Sequence, residues 1–447
     1  MKWIRKDVIN LTIPILMEQL FVMSMGMINT MMAGHIGKEA VSAIGMVDSI
    51  NNIFIAFFSA LAVGGMVVVA QFVGQGNIKK ANASMKQALY SGLLISFLIT
   101  ITMFIFKGLL VKLLFGAAEQ EVINSADIYL SITLLTYPLI TTDLIANGIL
   151  RGAGDTKTPM KITIFMNILN VFFTFTFINI IKLGIVGAAL GIALARTIGA
   201  LIILGVLLRG SSILKLTEIK KFKFDKELLR PIFSVGLPAS VESLLFNGGK
   251  LITQIFIVDM GTIAIASNAI TSSIGGMLNI PGNAFCTAAT ALVGQHMGRG
   301  ETKEAQNTLN YITKLSTVSL IILSLAFLPF AGVFPRLYTS NADIIKLTAH
   351  ACILYVIFIP VWSISFVLPS GLKGAGDAKY TMMTSMIGMW VFRITLGYIL
   401  GNILHFGLIG VWMGMFIDWS IRGCLYLIRF RKGKWKEKVV IKRAIAK

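Results

Sequence analysis

Apolar residues fill this chain in long blocks instead of alternating along it. Twelve runs lie near 10–33, 46–73, 87–112, 125–149, 160–181, 185–208, 231–258, 264–293, 309–334, 344–370, 379–402 and 406–428. A helix needs roughly 20 mostly apolar residues to cross the hydrocarbon core of a bilayer. The runs are rich in Leu, Ala and Met and too long for the roughly 10-residue alternating strands of a membrane barrel. The pattern predicts an all-α integral membrane protein with twelve transmembrane helices. The first run follows a basic start, MKWIRKD, but it is too long for a cleaved signal peptide, contains Glu18 and has no small-x-small cleavage site.

The polar stretches between the runs reveal a duplication. PILMEQL at 14–20 matches PASVESL at 238–244, so a proline and a glutamate recur 224 residues on. QFVGQGNIKKA at 71–81 echoes ALVGQHMGRGETKEA at 291–305, with four residues inserted. RGAGDTKTPM at 151–160 echoes KGAGDAKYTM at 373–382, an offset of 222. Each half holds six runs, an even number, so both halves enter from the same face and the repeats are parallel. The expected organisation is an N-terminal six-helix lobe over 1–209, a basic cytoplasmic linker over 210–230, a C-terminal six-helix lobe over 231–428 and a basic cytoplasmic tail over 429–447. Carriers built from repeats place their site near the membrane midplane between halves, so a central cleft is expected.

Composition agrees with this reading. The chain is 56% hydrophobic and 13% charged, with a mean hydropathy of +0.81, against about 25% charged for a soluble domain. The formal charge of +20 does not point to nucleic acid, because Lys and Arg sort by loop. Of the 40, 31 fall on one side and 6 on the other, while Arg196, Lys250 and Arg393 lie inside runs. That asymmetry places both termini in the cytoplasm of a multi-pass protein of the inner (cytoplasmic) membrane. The tail RFRKGKWKEKVVIKRAIAK is expected to lie on anionic headgroups. Cys286, Cys352 and Cys424 all sit in apolar runs and read as packing residues, not as a disulfide or zinc framework. His35, His296 and His405 read as loop or helix-end residues without metal-ligand spacing.

GMINTMMAGHIG at 26–37, VGQGNIKKA at 73–81 and LRGAGDTKTPM at 150–160 resemble motifs of the multidrug and toxic compound extrusion (MATE) transporters. VGLPASVE at 235–242 and LKGAGDAKYTM at 372–382 resemble the matching C-terminal motifs. The resemblance spans nearly the whole chain in the right order. It implies two six-helix lobes around a cleft and efflux of amphipathic, often cationic, compounds in exchange for Na⁺ or H⁺, with no cofactor. The GAGD loop itself reads as a hinge: its glycines permit a tight connection, Pro159 suits a helix's first turn, and Asp155 caps that helix or pairs with Arg151 or Lys157.

A carboxylate at the centre of a span costs about 2.5–3.5 kcal/mol, so such residues are functional candidates. Those inside runs are Glu18, Asp48, Asp143, Glu242 and Asp418, the last with Arg422 one turn on as an i,i+4 pair. Glu18 and Glu242 stand out as repeat mates, each four residues after a proline. Glu18, Met25 and Asn29 share one helical stripe. In relatives a first-helix acid follows a V-D-T-x-x-x-G pattern; here Asn29 occupies its place. The fifth-helix pattern reads Asn167, Asn170 and then Thr174, again without the acid. An amide coordinates Na⁺ through its oxygen but takes up no proton near neutral pH. The cation-coupling candidates are therefore Glu18, Asn29, Asp143, Asn147, Asn167, Asn170, Thr174 and Glu242.

The substrate-cleft candidates are Met25, Asn247, Lys250 and Arg393. Lys250 either neutralises an acid or snorkels toward an interface. The stripe Met23, Met27 and Met31 reads as packing. The chain is expected to act as a monomer with small-molecule substrates. The rival reading is a flippase for a lipid-linked precursor, which needs several cationic side chains in its cleft. No HExxH or GxSxG sequence supports an enzyme.

Overall fold

The computed structural model describes residues 2–34, 36–115, 118–211, 213–217, 223–438 and 440–441, so His35, the middle of the basic linker and the end of the basic tail lie outside the described residues. The chain is built of helices: α1 (Lys2–Gly34), α2 (Lys38–Gly74), α3 (Ile78–Phe115), α4 (Gln120–Leu135 and Tyr137–Gly152), α5 (Lys157–Ile180) and α6 (Gly184–Arg209). The second half follows with α7 (Lys226–Val258), α8 (Thr262–Leu278 and Ile280–Arg299), α9 (Thr302–Phe330), α10 (Ala342–Gly374), α11 (Ala378–Ile403) and α12 (Gly407–Lys432). Among the described residues ten single helices are long and apolar enough to cross a membrane, and counting the bent α4 and α8 once each gives up to twelve spans.

The two bends have a backbone cause. α4 turns by 47° at Thr136 and α8 by 49° at Asn279, each two residues before a proline, Pro138 and Pro281. A proline supplies no N–H to the preceding turn and its ring clashes there. Side chains take up the polar groups around each break. Arg196 donates to the Thr136 hydroxyl at 2.7 Å, and the Tyr355 hydroxyl donates to the carbonyl of Gly275 at 3.2 Å. α11 is interrupted differently, by π-helical stretches at Gly388–Ile394 and Ile399–Ile403.

By its contacts the chain divides into two compact units, Ile13–Ser240 on one hand and Met1–Thr12 with Val241–Lys447 on the other. The first unit's core includes Phe58, Tyr129, Leu130, Leu134 and Tyr137. The second unit's core is more aromatic: Tyr355 lies against Trp412, Phe416 and Trp419, and Phe366 against Trp362 and Trp419. Aromatic pairs of this kind add about 0.5–1.5 kcal/mol each beyond the area they bury. Linker residues Leu214 and Leu216 are buried in the first unit, where the Gln87 amide donates to the Lys223 carbonyl at 2.7 Å. In the tail, Trp435 is fully buried, stacks on Phe430 and donates to its carbonyl. Met27 and Met31 are 47% and 65% exposed, so the methionine stripe is not part of a packed core.

The repeated GAGD loops are shaped alike in both units. A Cβ on Gly152 would stand 2.5 Å from the Met66 carbonyl oxygen, and one on Gly374 would stand 2.5 Å from that of Thr290. Both contacts press the end of one helix onto the backbone of another, α4 on α2 and α10 on α8. The second glycine of each motif has positive φ, +94° at Gly154 and +100° at Gly376, where a side chain is strained. The acids then diverge. Asp155 caps α5 by accepting from the Thr158 backbone and also holds Ser211, whereas Asp377 takes a two-armed contact from Arg429. Gly152→Ala and Gly374→Ala should each destabilise by about 1–3 kcal/mol through overpacking. Gly108→Ala, with open space around it in α3, should be neutral or stabilising. Thermal unfolding in detergent compares the three, and equal behaviour would contradict the close-approach account.

Candidate functional site

The two repeat-mate glutamates are each paired within their own unit, by the same device twice. Arg151 donates to Glu18 at 2.6 Å, joining the end of α4 to α1. Lys373 sits 2.8 Å from Glu242, joining the end of α10 to α7. Both cations open the GAGD loops, so each loop motif contributes the counter-charge to the glutamate that follows the helix proline. Asp418 and Arg422 in α12 form a third pair, with contacts of 2.6 and 2.9 Å and almost no exposure. Gly388, in the π-helical stretch of α11, leaves the space this pair occupies.

In the first unit, the α4 turn beyond Arg151 carries further polar groups. Asp143 is 6% exposed and accepts from the Asn147 amide at 3.0 Å, within electrostatic reach of Glu18 and Arg151. Three oxygens here are buried without a hydrogen-bond partner: the second carboxylate oxygen of Glu18, Oδ1 of Asp143 and Oδ1 of Asn147. Buried acceptors left unmet are rare and each needs a physical reason. Two carboxylates against one arginine leave one negative charge over, which suits a monovalent cation or a proton. Among the described residues no three His, Cys, Asp or Glu side chains come together as a metal site.

The other coupling candidates are dispersed. The Asn167 amide donates to the Thr163 carbonyl, and the Thr174 hydroxyl donates to Asn170 Oδ1, both within α5. Asn29 is half-buried with Oδ1 unpartnered. Sequence reasoning passed over a second network deeper in this unit. The Tyr137 hydroxyl donates to Asn51 at 2.9 Å, and Asn51 donates to Thr133 at 3.3 Å and, more weakly, to Asp48 at 3.5 Å. Arg196 lies within electrostatic reach of Asp48 and holds the bend of α4 through Thr136. The in-span charges Asp48 and Arg196 were the available signal.

The second unit contains a cavity of about 500 Å³, in the size range of a small-molecule pocket. Lys250 and Arg393 both line it, whereas Asn247 does not and instead donates back to the Ser243 carbonyl. Its walls are aromatic, with Phe246, Trp362, Phe366 and Trp419 among them, and no aspartate or glutamate lines it. Lys250, Arg393 and Arg422 all approach the Phe246 ring, at 5.1, 5.8 and 5.5 Å from its centroid.

The MatE family model matches this chain twice, over residues 14–176 and 238–399, once in each half of the duplication. The chain belongs to the MatE family. It is thus a MATE transporter, a multi-pass membrane protein and not a member of an enzyme family. It is 27% identical over 98% of its length, and 95% of the relative's, to the probable multidrug resistance protein NorM of Thermotoga maritima. It is 28% identical over 96% of its length, and 94% of the relative's, to the uncharacterized transporter YisQ of Bacillus subtilis. In fold it is similar to a MOP superfamily transporter from Pyrococcus furiosus described as having a binding pocket of reversed polarity, with a TM-score of 0.90, 21% identity and coverage of 96% and 95% of the two chains. It is also similar to an outward-facing multidrug resistance MATE transporter, with a TM-score of 0.89, 22% identity and the same coverage.

For this MATE protein the twin ion pairs carry a direct expectation. Arg151→Gln strands Glu18 beside Asp143 and should cost about 1.5–3 kcal/mol. Adding Glu18→Gln should recover more than half, since no unpaired charge is then left. A double variant no more stable than Arg151→Gln in thermal unfolding would contradict the pairing.

Proposed function

We propose that this MATE transporter exports amphipathic small molecules across the cytoplasmic membrane in exchange for Na⁺ or H⁺, with both termini in the cytoplasm. Access alternates between the two sides of the membrane, cation and substrate favouring different states, which is exchange by differential binding. Multidrug resistance names among the relatives support the export reading, and the loop charge asymmetry supports the orientation.

The observation that carries the ion-coupled reading is the orphaned oxygen set around Asp143. The coupling cation is held by Asp143 and Asn147, with Glu18 contributing its free oxygen while Arg151 braces it. Glu242, matched by Lys373, has a bracing role. Asn29, Asn167, Asn170 and Thr174 are left as neutral neighbours, which for Asn167, Asn170 and Thr174 agrees with their short-range hydrogen bonding.

Transport in proteoliposomes with independently clamped Na⁺ and proton gradients tests this, using ethidium and fluorescein as cationic and anionic reporters. One gradient should drive accumulation of at least one dye. Asp143→Asn should lose at least tenfold of that drive, while Glu242→Gln keeps most of it. Coupled transport undiminished in Asp143→Asn would remove the cation assignment, and no response to either gradient would remove the exporter reading.

A further inference from the structure

We infer that the cavity of the second unit binds an aromatic organic anion, a substrate class opposite in charge to the cationic compounds the family resemblance implies. The inference deepens the exporter reading and rests on it for the word substrate, but the cavity argument stands on geometry alone. Of the three buried polar side-chain atoms on the cavity's lining without a hydrogen-bond partner among the described residues, two are donors. The Arg393 Nε and the Trp419 indole N–H are both buried, both on lining residues, and both without a hydrogen-bond partner. Lys250 keeps exposed surface, lines the same cavity and makes no ion pair among the described residues. Its only described charged neighbour of influence is Arg393, another cation. Two cations facing one space without a lining acid repel each other until an anion enters.

A relay of side chains adds a further donor. An indole N–H can only donate, so the 3.1 Å contact from Trp412 fixes Asn268 with its oxygen toward the indole. Asn268 must then offer its NH₂ onward, and it does, to the Gln254 oxygen at 3.0 Å. Gln254, another lining residue, is left with its own NH₂ as the free end. The chain therefore turns one buried tryptophan into an amide donor at the cavity. The acids close by are already committed: Asp418 to Arg422 and Glu242 to Lys373. On the acceptor side, Asn279 Oδ1 is buried and unpartnered, a place for one hydroxyl or N–H of the ligand.

The apolar walls specify the rest of the ligand. Trp362 and Phe366 stack at 4.6 Å with their planes 18° apart, and Phe246 meets Phe366 edge-on. A planar aromatic body fits such faces. The volume of about 500 Å³ suits a ligand of two or three fused rings, not a lipid with two acyl chains.

Isothermal titration of the detergent-purified full chain compares three naphthalenes of one shape: 2-naphthoate, 2-naphthylmethanol and (2-naphthyl)methylammonium. Naphthoate should bind at least tenfold more tightly than the ammonium, with the alcohol between them. Lys250→Gln should weaken naphthoate at least fivefold and leave the alcohol unchanged, and Lys250→Arg should restore it. The inference is overturned if the ammonium binds as tightly as naphthoate, if none of the three binds, or if Lys250→Gln has no effect. Displacement of naphthoate by equimolar phosphatidylglycerol would also overturn the small-molecule assignment. Should the variant not fold, the three-ligand comparison on the unaltered chain still decides. A protein that binds naphthoate but moves nothing sinks the exporter reading alone. One that exports ethidium without binding naphthoate sinks the anion assignment alone.

Discussion

A carboxylate inside hydrocarbon has no water to turn to, and removing the partner of a buried pair leaves the other charge uncompensated. That constraint organises both units of this protein. Glu18 meets Arg151 and Glu242 meets Lys373, each pair tying a proline-bearing helix to the GAGD loop that ends another. The loop glycines serve the same junction, one by allowing backbone contact and one by adopting positive φ. Seen this way, the family's loop motif is the cationic half of a latch whose anionic half lies more than a hundred residues earlier.

The duplication keeps this latch and changes what surrounds it. Past Arg151, α4 carries Asp143 and Asn147, whose free oxygens leave the first unit short of positive partners. The corresponding positions in α10, offset by 222, are Ser365 and Pro369; Ser365 spends its hydroxyl on the Trp419 carbonyl. The second unit instead gathers Lys250 and Arg393 with unpartnered donors around an aromatic cavity. The two copies of the lobe thus differ in the polar groups that surround the shared latch. In the proposed exchange, sites of opposite sign remove competition between cation and substrate for one carboxylate.

Much of the fold was legible because span length and hydropathy are one-dimensional properties. The twelve runs and the repeat at offsets of 222 and 224 needed no contacts to be read. Glu18 and Glu242 were visible as repeat mates, but Arg151 and Lys373 stood in loops, and Arg151 read as a partner of Asp155, not of Glu18. The bends at Thr136 and Asn279 were hidden, because a proline inside a long apolar run marks either a tolerated kink or a break. The cavity was half legible: Lys250 and Arg393 were visible as in-span cations, while Trp412, Trp419 and Gln254 carried no signal in the sequence. Their meaning depends on which donor is satisfied by which acceptor, and only three-dimensional proximity decides that.

The claim that the two units hold sites of opposite charge is tested most directly by anomalous diffraction from crystals of the protein grown with Rb⁺ and 6-bromo-2-naphthoate. The account predicts a rubidium peak between Asp143 and Asn147 and a bromine peak in the cavity bordered by Arg393 and Trp419. A rubidium peak in that cavity, or brominated ligand absent from it at saturating concentration, would contradict it.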